Sequence, residues 1–314
     1  MLDSLVVATN AVVPFLFYLM CGYGARRFGV VDEPFLGRIT KLVFKFFFPF
    51  TMFNNIYNTN PGTAPSLKVI LFCFFGILAL QAVLIAVIPH VIPQQNRRGV
   101  FIQSAYRSNL VLFGIPLTQT IYGVERAAVA AMLIAVMVPL YNVTAIIILE
   151  MFNGEERTSP IELLKKIAQN PLLHGCIVGL IFLLLGIRLP ECISKPVTSF
   201  ANLTTPLALF ALGGTLRFEA IAKNRRILAA GLSIKLLFSP LFFLIVGYLI
   251  GLREIELFLV VAVFATPIAS SAYPMAASMG GDGELAGQYV FLSTVLSVGT
   301  LFGFIFFMRQ LGLI

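Results

Sequence analysis

The chain has 314 residues, of which 59% are hydrophobic and only 11% charged. Soluble domains carry about a quarter charged residues, so this composition cannot cover a water-facing surface and implies a bilayer as solvent. The formal net charge of +8 does not indicate a nucleic-acid partner, because the basic residues fall in short connections between apolar runs rather than on one soluble face.

Apolar stretches long enough to cross about 30 Å of hydrocarbon recur along the chain. They cover residues 5–26, 35–57, 67–92, 100–122, 126–152, 170–187, 193–216, 227–251, 256–279 and 285–308, ten in all. Each far exceeds the roughly ten residues of a membrane-barrel strand. Backbone hydrogen bonds must close within each segment, so the expected fold is all-α. In the first stretch the basic pair Arg26 and Arg27 follows the apolar run, whereas a signal peptide places its basic residues ahead, so this stretch is read as a retained span. Cys21, Cys73, Cys176 and Cys192 form no CxxC pair and read as small apolar residues. No cofactor or metal is expected.

The connection after the fifth span, Asn153 to Gln169, is the longest and most polar, with Glu155, Glu156, Arg157, Glu162, Lys165 and Lys166. It divides the chain into residues 1–158 and 159–314. Sliding the second half over the first by 157 residues brings Pro14 onto Pro171, Gly22 onto Gly179, Gly29 onto Gly186 and Pro49 onto Pro206. A shift of 158 brings Pro116 onto Pro274 and Gly123 onto Gly281. Each half holds an odd number of spans, so the two copies enter the membrane from opposite sides. Such inverted repeats are an architecture of secondary transporters.

Orientation follows from Lys and Arg in the connections. Those after spans 1, 3, 5 and 7 carry twelve (Arg26, Arg27, Arg38, Arg97, Arg98, Arg157, Lys165, Lys166, Arg217, Lys223, Arg225 and Arg226), against six on the other side. The richer side is assigned to the cytoplasm, which puts both termini on the non-cytoplasmic side of a cell (inner) membrane.

In inverted-repeat transporters the site lies where corresponding spans are broken. Span 4 contains Gly114-Ile115-Pro116 near its middle, and span 9 carries Thr266-Pro267 and then Ala272-Tyr273-Pro274. Glycine is permissive and proline removes a donor, so breaks are expected at both sites, crossing near the midplane. Half-helix N-termini at such a crossing attract anions. Three cations lie deep in spans: Lys45, Arg107 and Lys235, with no Asp or Glu comparably deep. They are read either as a basic access vestibule or as side chains reaching back to the interface, the latter favoured for Lys45 and Lys235. Asn142, with Asn54, Asn55, Tyr141, Ser293, Thr294 and Ser297, is a candidate for lining a path, while Gly175-x-x-x-Gly179 suits close helix contact.

The stretch Gly114-Ile-Pro-Leu-Thr-Gln-Thr-Ile-Tyr-Gly123, with Asn109 upstream, resembles the span-4 signature of the auxin efflux carrier family. Ala265-Thr-Pro267 through Gly281-Asp282 to Leu292-Ser-Thr294-Val-Leu-Ser297 is similar to its bacterial branch. The resemblance implies a scaffold of spans 1, 2, 6 and 7, a transport domain of spans 3–5 and 8–10, a homodimer through the scaffold, and elevator-type motion. It places Asn109, Ile115 and Pro116 at the substrate, with the span-9 crossing near Ala272–Pro274. Candidate substrate contacts are thus Asn109, Gly114, Ile115, Pro116, Gln119, Asn142, Ala272, Tyr273 and Pro274. Two departures stand out: span 3 has no acidic residue, and Ser108 precedes Asn109 where the plant form has proline. The expected activity is transport of a small organic anion, with efflux the direction the family implies. An ion-coupled symporter or antiporter of related fold is the alternative, and a non-transporting receptor a more distant one. No HExxH, GxSxG or paired intramembrane Asp supports an enzyme.

Overall fold

The computed structural model describes residues 2–58, 66–152 and 160–314, and every regular element among them is helical. The halfway point at residues 158 and 159 lies outside the described residues. In chain order the helices are α1 (Leu2–Arg27), α2 (Glu33–Leu42), α3 (Phe48–Tyr57), α4 (Leu67–Val91), α5 (Gln95–Tyr106), α6 (Ile115–Tyr122), α7 (Val124–Met151) and α8 (Pro160–Ala168). They continue with α9 (Pro171–Leu184), α10 (Glu191–Thr215), α11 (Phe218–Lys223), α12 (Arg225–Ser233), α13 (Ser239–Leu249), α14 (Glu254–Ala265), α15 (Ala272–Ser278) and α16 (Gly283–Gln310). Among the described residues, five segments are long and apolar enough to cross a membrane: Leu67–Val91, Met132–Met151, Glu191–Thr215, Arg225–Leu249 and Gly283–Gln310.

Helix starts follow local chemistry. Asp32 caps α2, its carboxylate accepting from the Phe35 N–H at 2.7 Å. Asn170 caps α9 through the Leu172 N–H at 3.0 Å, and Asp282 caps α16 through Leu285 at 2.9 Å. Each satisfies an amide that the helix itself leaves unpaired.

Three π-turns occur, at Val43–Phe47, Leu110–Gly114 and Ile234–Phe238, and each is followed two residues later by proline: Pro49, Pro116 and Pro240. The proline ring clashes with the carbonyl one turn back and offers no N–H, and a widened turn absorbs both faults without ending the helix. This corrects the expectation that Gly114-Ile115-Pro116 breaks span 4. The helical path runs through Pro116, and the interruption lies upstream at Arg107–Asn109, between α5 and the π-turn. Pro274 likewise sits in the first turn of α15, where no donor is needed. The interruption there is Thr266–Ser271, which contains Pro267.

Close backbone approach holds α1 to α10 and α3 to α9. A Cβ on Gly22 would stand 1.9 Å from the Phe210 carbonyl oxygen, and one on Gly179 would stand 3.0 Å from that of Phe53. Gly22 and Gly179 are 157 residues apart, and so are Phe53 and Phe210, so the two contacts obey the offset found in the sequence. A Cβ on Gly175 would lie 2.3 Å from the Pro49 carbonyl oxygen, so only glycine fits there.

Candidate functional site

The two interruptions touch. The Asn109 N–H donates to the Pro267 carbonyl at 2.8 Å, and these two residues are 158 positions apart, the offset that superimposes Pro116 and Pro274. Backbone leaving a helix must find partners inside the molecule or pay full desolvation, and here each interruption supplies them to the other. At the end of α14, the Ala262 carbonyl accepts from the Thr266 hydroxyl at 2.8 Å. The Val263 carbonyl accepts from Ser108 and, at 3.1 Å, from the Tyr141 hydroxyl. The Phe264 carbonyl accepts from the Lys235 ammonium at 2.9 Å. Lys235 also donates to the Ser108 hydroxyl, so one cation ties both interruptions together at the negative end of α14. Gln103 of α5 donates to the Ala272 carbonyl at 3.2 Å, and the Ile268 N–H donates to Ser293 at 3.1 Å.

A cavity of about 660 Å³ opens beside this crossing. One wall comes from α1, α3 and α10, with Phe15, Phe48, Thr51, Asn54 and Asn202. The opposite wall comes from Arg107–Leu112 of the first interruption, Ala269–Ser271 of the second, and Val138, Tyr141 and Asn142 of α7. Within the second wall, Asn109 and Ser271 stand just ahead of resumed helical segments, whose first N–H groups have no intrahelical partner.

Arg107 dominates the electrostatics. It is 1% exposed and borders the cavity. Its guanidinium donates to Ser271 Oγ at 2.6 Å, Asn142 Oδ1 at 2.9 Å, Met275 Sδ at 2.9 Å and Gln103 Oε1 at 3.2 Å. All four acceptors are neutral, and Nε has no hydrogen-bond partner among the described residues. Asn142 is fixed in turn, donating to the Val138 carbonyl at 2.8 Å.

The candidates read from sequence separate into groups. Asn109, Pro116, Asn142 and Arg107 line the cavity. Gly114 is buried and Ile115 half-buried, and neither lines the cavity; Gln119 is exposed and also does not line it. Ala272 and Pro274 are buried behind the second interruption. The Tyr273 hydroxyl reaches Thr215 at 3.0 Å and Thr40 at 3.5 Å, bridging α15 to α10 and α2 instead of facing the cavity. Lys45 is exposed on the helix surface, as a side chain reaching for the interface would be. Lys235 departs from that reading: it is 1% exposed and held inside the crossing.

Ser108 stands out in the sequence only as a departure from the plant pattern, and Ser270 and Ser271 carry no signal beyond nearness to Pro267, since a serine in a membrane span more often bonds its own backbone. Ser293, Thr294 and Ser297 do largely that, donating to Val290 and Thr294 carbonyls.

A family model described as "Membrane transport protein" matches residues 7–305. The chain is also 23% identical over 297 residues to an uncharacterized transporter of Methanothermobacter thermautotrophicus (strain Delta H), covering 94% of this chain and 96% of that protein.

Proposed function

The chain belongs to the membrane transport protein family, of auxin efflux carrier type, and from that premise we propose that it is a secondary transporter of small organic anions working by alternating access. The observation that carries the anion reading is Arg107, a buried guanidinium with neutral partners beside a cavity at two crossed interruptions. A charge in the hydrocarbon region costs about 3 kcal/mol or more, and a carboxylate arriving in the cavity offsets part of that cost. Asn109, at the crossing itself, is the polar group we assign to orient the substrate.

The architecture we infer has ten spans: α1, α2–α3, α4, α5–α6, α7, α9, α10, α12–α13, α14–α15 and α16. The paired contacts at Gly22 and Gly179, and the meeting of Asn109 with Pro267, support two inverted repeats, residues 1–158 and 159–314. In this reading α1, α2, α3, α9 and α10 form a scaffold that pairs two copies of the chain. The rest moves against it as an elevator, with the cavity at the boundary. Both termini face away from the cytoplasm, and the physiological direction is efflux.

The test is flux of a labelled panel of mono- and dicarboxylates in proteoliposomes, with and without imposed Na⁺ or proton gradients. Asn109→Ala is expected to lower flux of the transported anion about ten-fold, the value of one hydrogen bond to a charged group. Equal flux in mutant and wild type removes Asn109 from the site. Flux of no anion in the panel rejects the anion reading.

A further inference from the structure

A second cavity, of about 670 Å³, lies apart from the crossing, between the α4–α5 turn and the α11–α12 turn. Four cations border it: Arg97, Lys223, Arg225 and Arg226. One is compensated, since Arg97 pairs with Asp282 at 2.9 Å and also donates to Asn224 at 3.3 Å. Lys223, Arg225 and Arg226 have no ion pair among the described residues: Asp282 is paired with Arg97, and Glu219, four positions before Lys223 on α11, makes no ion pair with it. Their placement adds to the imbalance. Arg225 and Arg226 occupy the first turn of α12, which has no acidic residue, and Asn224 makes no side-chain capping bond there. Asn224 is committed elsewhere, accepting from Arg97 and donating to Gln288 at 2.9 Å. Cations at the positive end of a helix are unfavourable unless an anion sits among them.

The other side of the cavity is apolar. Ile88 and Val91 lie in the last turn of α4 and Ile92 follows it; Val91 is 66% exposed, while Ile88 and Ile92 are buried. The carbonyls of Ile92 and Pro93, which would repel an anion, are covered by Arg98 at 2.8 and 3.2 Å. A basic floor beside the exposed Val91 side chain matches a phosphate group with a hydrocarbon tail better than it matches a wholly polar solute.

We propose that this cavity is a phosphate-binding site, distinct from the transport cavity, and that its occupant is the headgroup of an anionic phospholipid. The site joins the turn after α4, the segment α11–α12 and, through Arg97–Asp282 and Asn224–Gln288, the start of α16. A bound phosphate would therefore add to contacts that already join three elements.

The experiment uses the full chain in two arms. In the first, protein from vesicles of equal phosphatidylcholine and phosphatidylglycerol is examined by native mass spectrometry for retained lipid. Wild type is expected to keep phosphatidylglycerol in preference to phosphatidylcholine. The Arg225→Gln/Arg226→Gln double variant is expected to lose about twenty-fold of that preference, and Lys223→Gln about five-fold, at the usual worth of one cation near a charged surface. Arg188→Gln/Lys195→Gln, at the opposite end of α10, is the control and should keep it. In the second arm, inorganic phosphate is titrated against chloride at matched ionic strength in phosphatidylcholine nanodiscs. A rise in melting temperature that the double variant abolishes supports the phosphate site with a soluble occupant. Equal lipid retention by wild type and double variant, with no phosphate-dependent shift in either, overturns the proposal.

Discussion

Arg107 and Lys235 are both 1% exposed cations at the same crossing, yet they are used in opposite ways. Lys235 spends its ammonium on structure: it holds Ser108 from one interruption and the Phe264 carbonyl from the other, and it does not border the cavity. Arg107 faces the cavity, is surrounded by neutral acceptors and keeps Nε without a partner. A buried charge in a membrane protein is therefore not by itself a ligand site. What distinguishes the two is whether the cation ties the two chain segments together or borders the cavity.

The strongest test of that distinction is Arg107→Gln. Losing the charge at a desolvated charge-recognition site costs a few kcal/mol, so anion flux at limiting substrate should fall about thirty-fold or more. Thermal stability should hold, because an uncompensated buried charge is removed and an amide remains for Asn142 and Ser271. Arg107→Lys should rescue little, since a single ammonium cannot span acceptors held by a planar fork. Loss of folded protein in Arg107→Gln, with flux per folded molecule unchanged, would make Arg107 structural like Lys235.

Lys235→Met should reverse the pattern. It leaves the Phe264 carbonyl buried without its partner, a penalty of about 1–3 kcal/mol, read as a melting temperature several degrees lower. Flux should fall only in proportion to the folded fraction. A stable Lys235→Met protein with abolished flux would move this lysine into the transport machinery.

Asn142→Ala is expected to act more gently on the Arg107 side of the comparison. It removes one of four acceptors while Ser271 and Gln103 still hold the guanidinium. Apparent affinity should weaken a few-fold, with little change in maximal flux, as suits loss of about 1 kcal/mol of positioning. An unchanged affinity would show that the other acceptors suffice to aim Arg107.

The smallest effect is expected where the ion pair is wet. Glu33, just ahead of the second span, meets Arg26 at 2.9 Å and Arg217 at 3.1 Å, with about half its side chain exposed. The hydrogen bond from Arg26 and the charge of Arg217 hold its carboxyl below the usual carboxylate range. A depressed folded pKa contributes stability above the unfolded value and loses it as pH falls through the folded one. Glu33→Gln should thus cost less than ~1 kcal/mol of stability at neutral pH, read as a slightly lower melting temperature, and nothing in acid. An effect as large as that of Lys235→Met would show that burial is not what separates these cations.

How legible the site was depended on the kind of signal. The offset of 157–158 residues was visible in proline and glycine positions, and it led to the pair of spans whose interruptions now meet at Asn109 and Pro267. In span 9 the interruption includes Thr266-Pro267, whereas in span 4 it lies upstream of Gly114-Ile115-Pro116, because proline reads as a breaker while a π-turn can absorb it, as happens ahead of Pro49, Pro116 and Pro240. Tyr273 looked like a lining residue from its neighbours in sequence, yet its hydroxyl points to Thr215 and Thr40.

Composition pointed to a bilayer, and the length of the apolar runs, far beyond a barrel strand, to an all-helical chain. Sequence offsets alone marked two corresponding segments as special. Only the tertiary structure decided that Lys235 would be a tie and Arg107 a lining charge, that Ser108 and Ser271 would join the site, and that Gln119 and Lys45 would face away. The physical reason is that period and composition specify which residues share a helix, whereas the partner of a donor is set by where another helix stops. In this molecule the stops of α5 and α14 lie against each other.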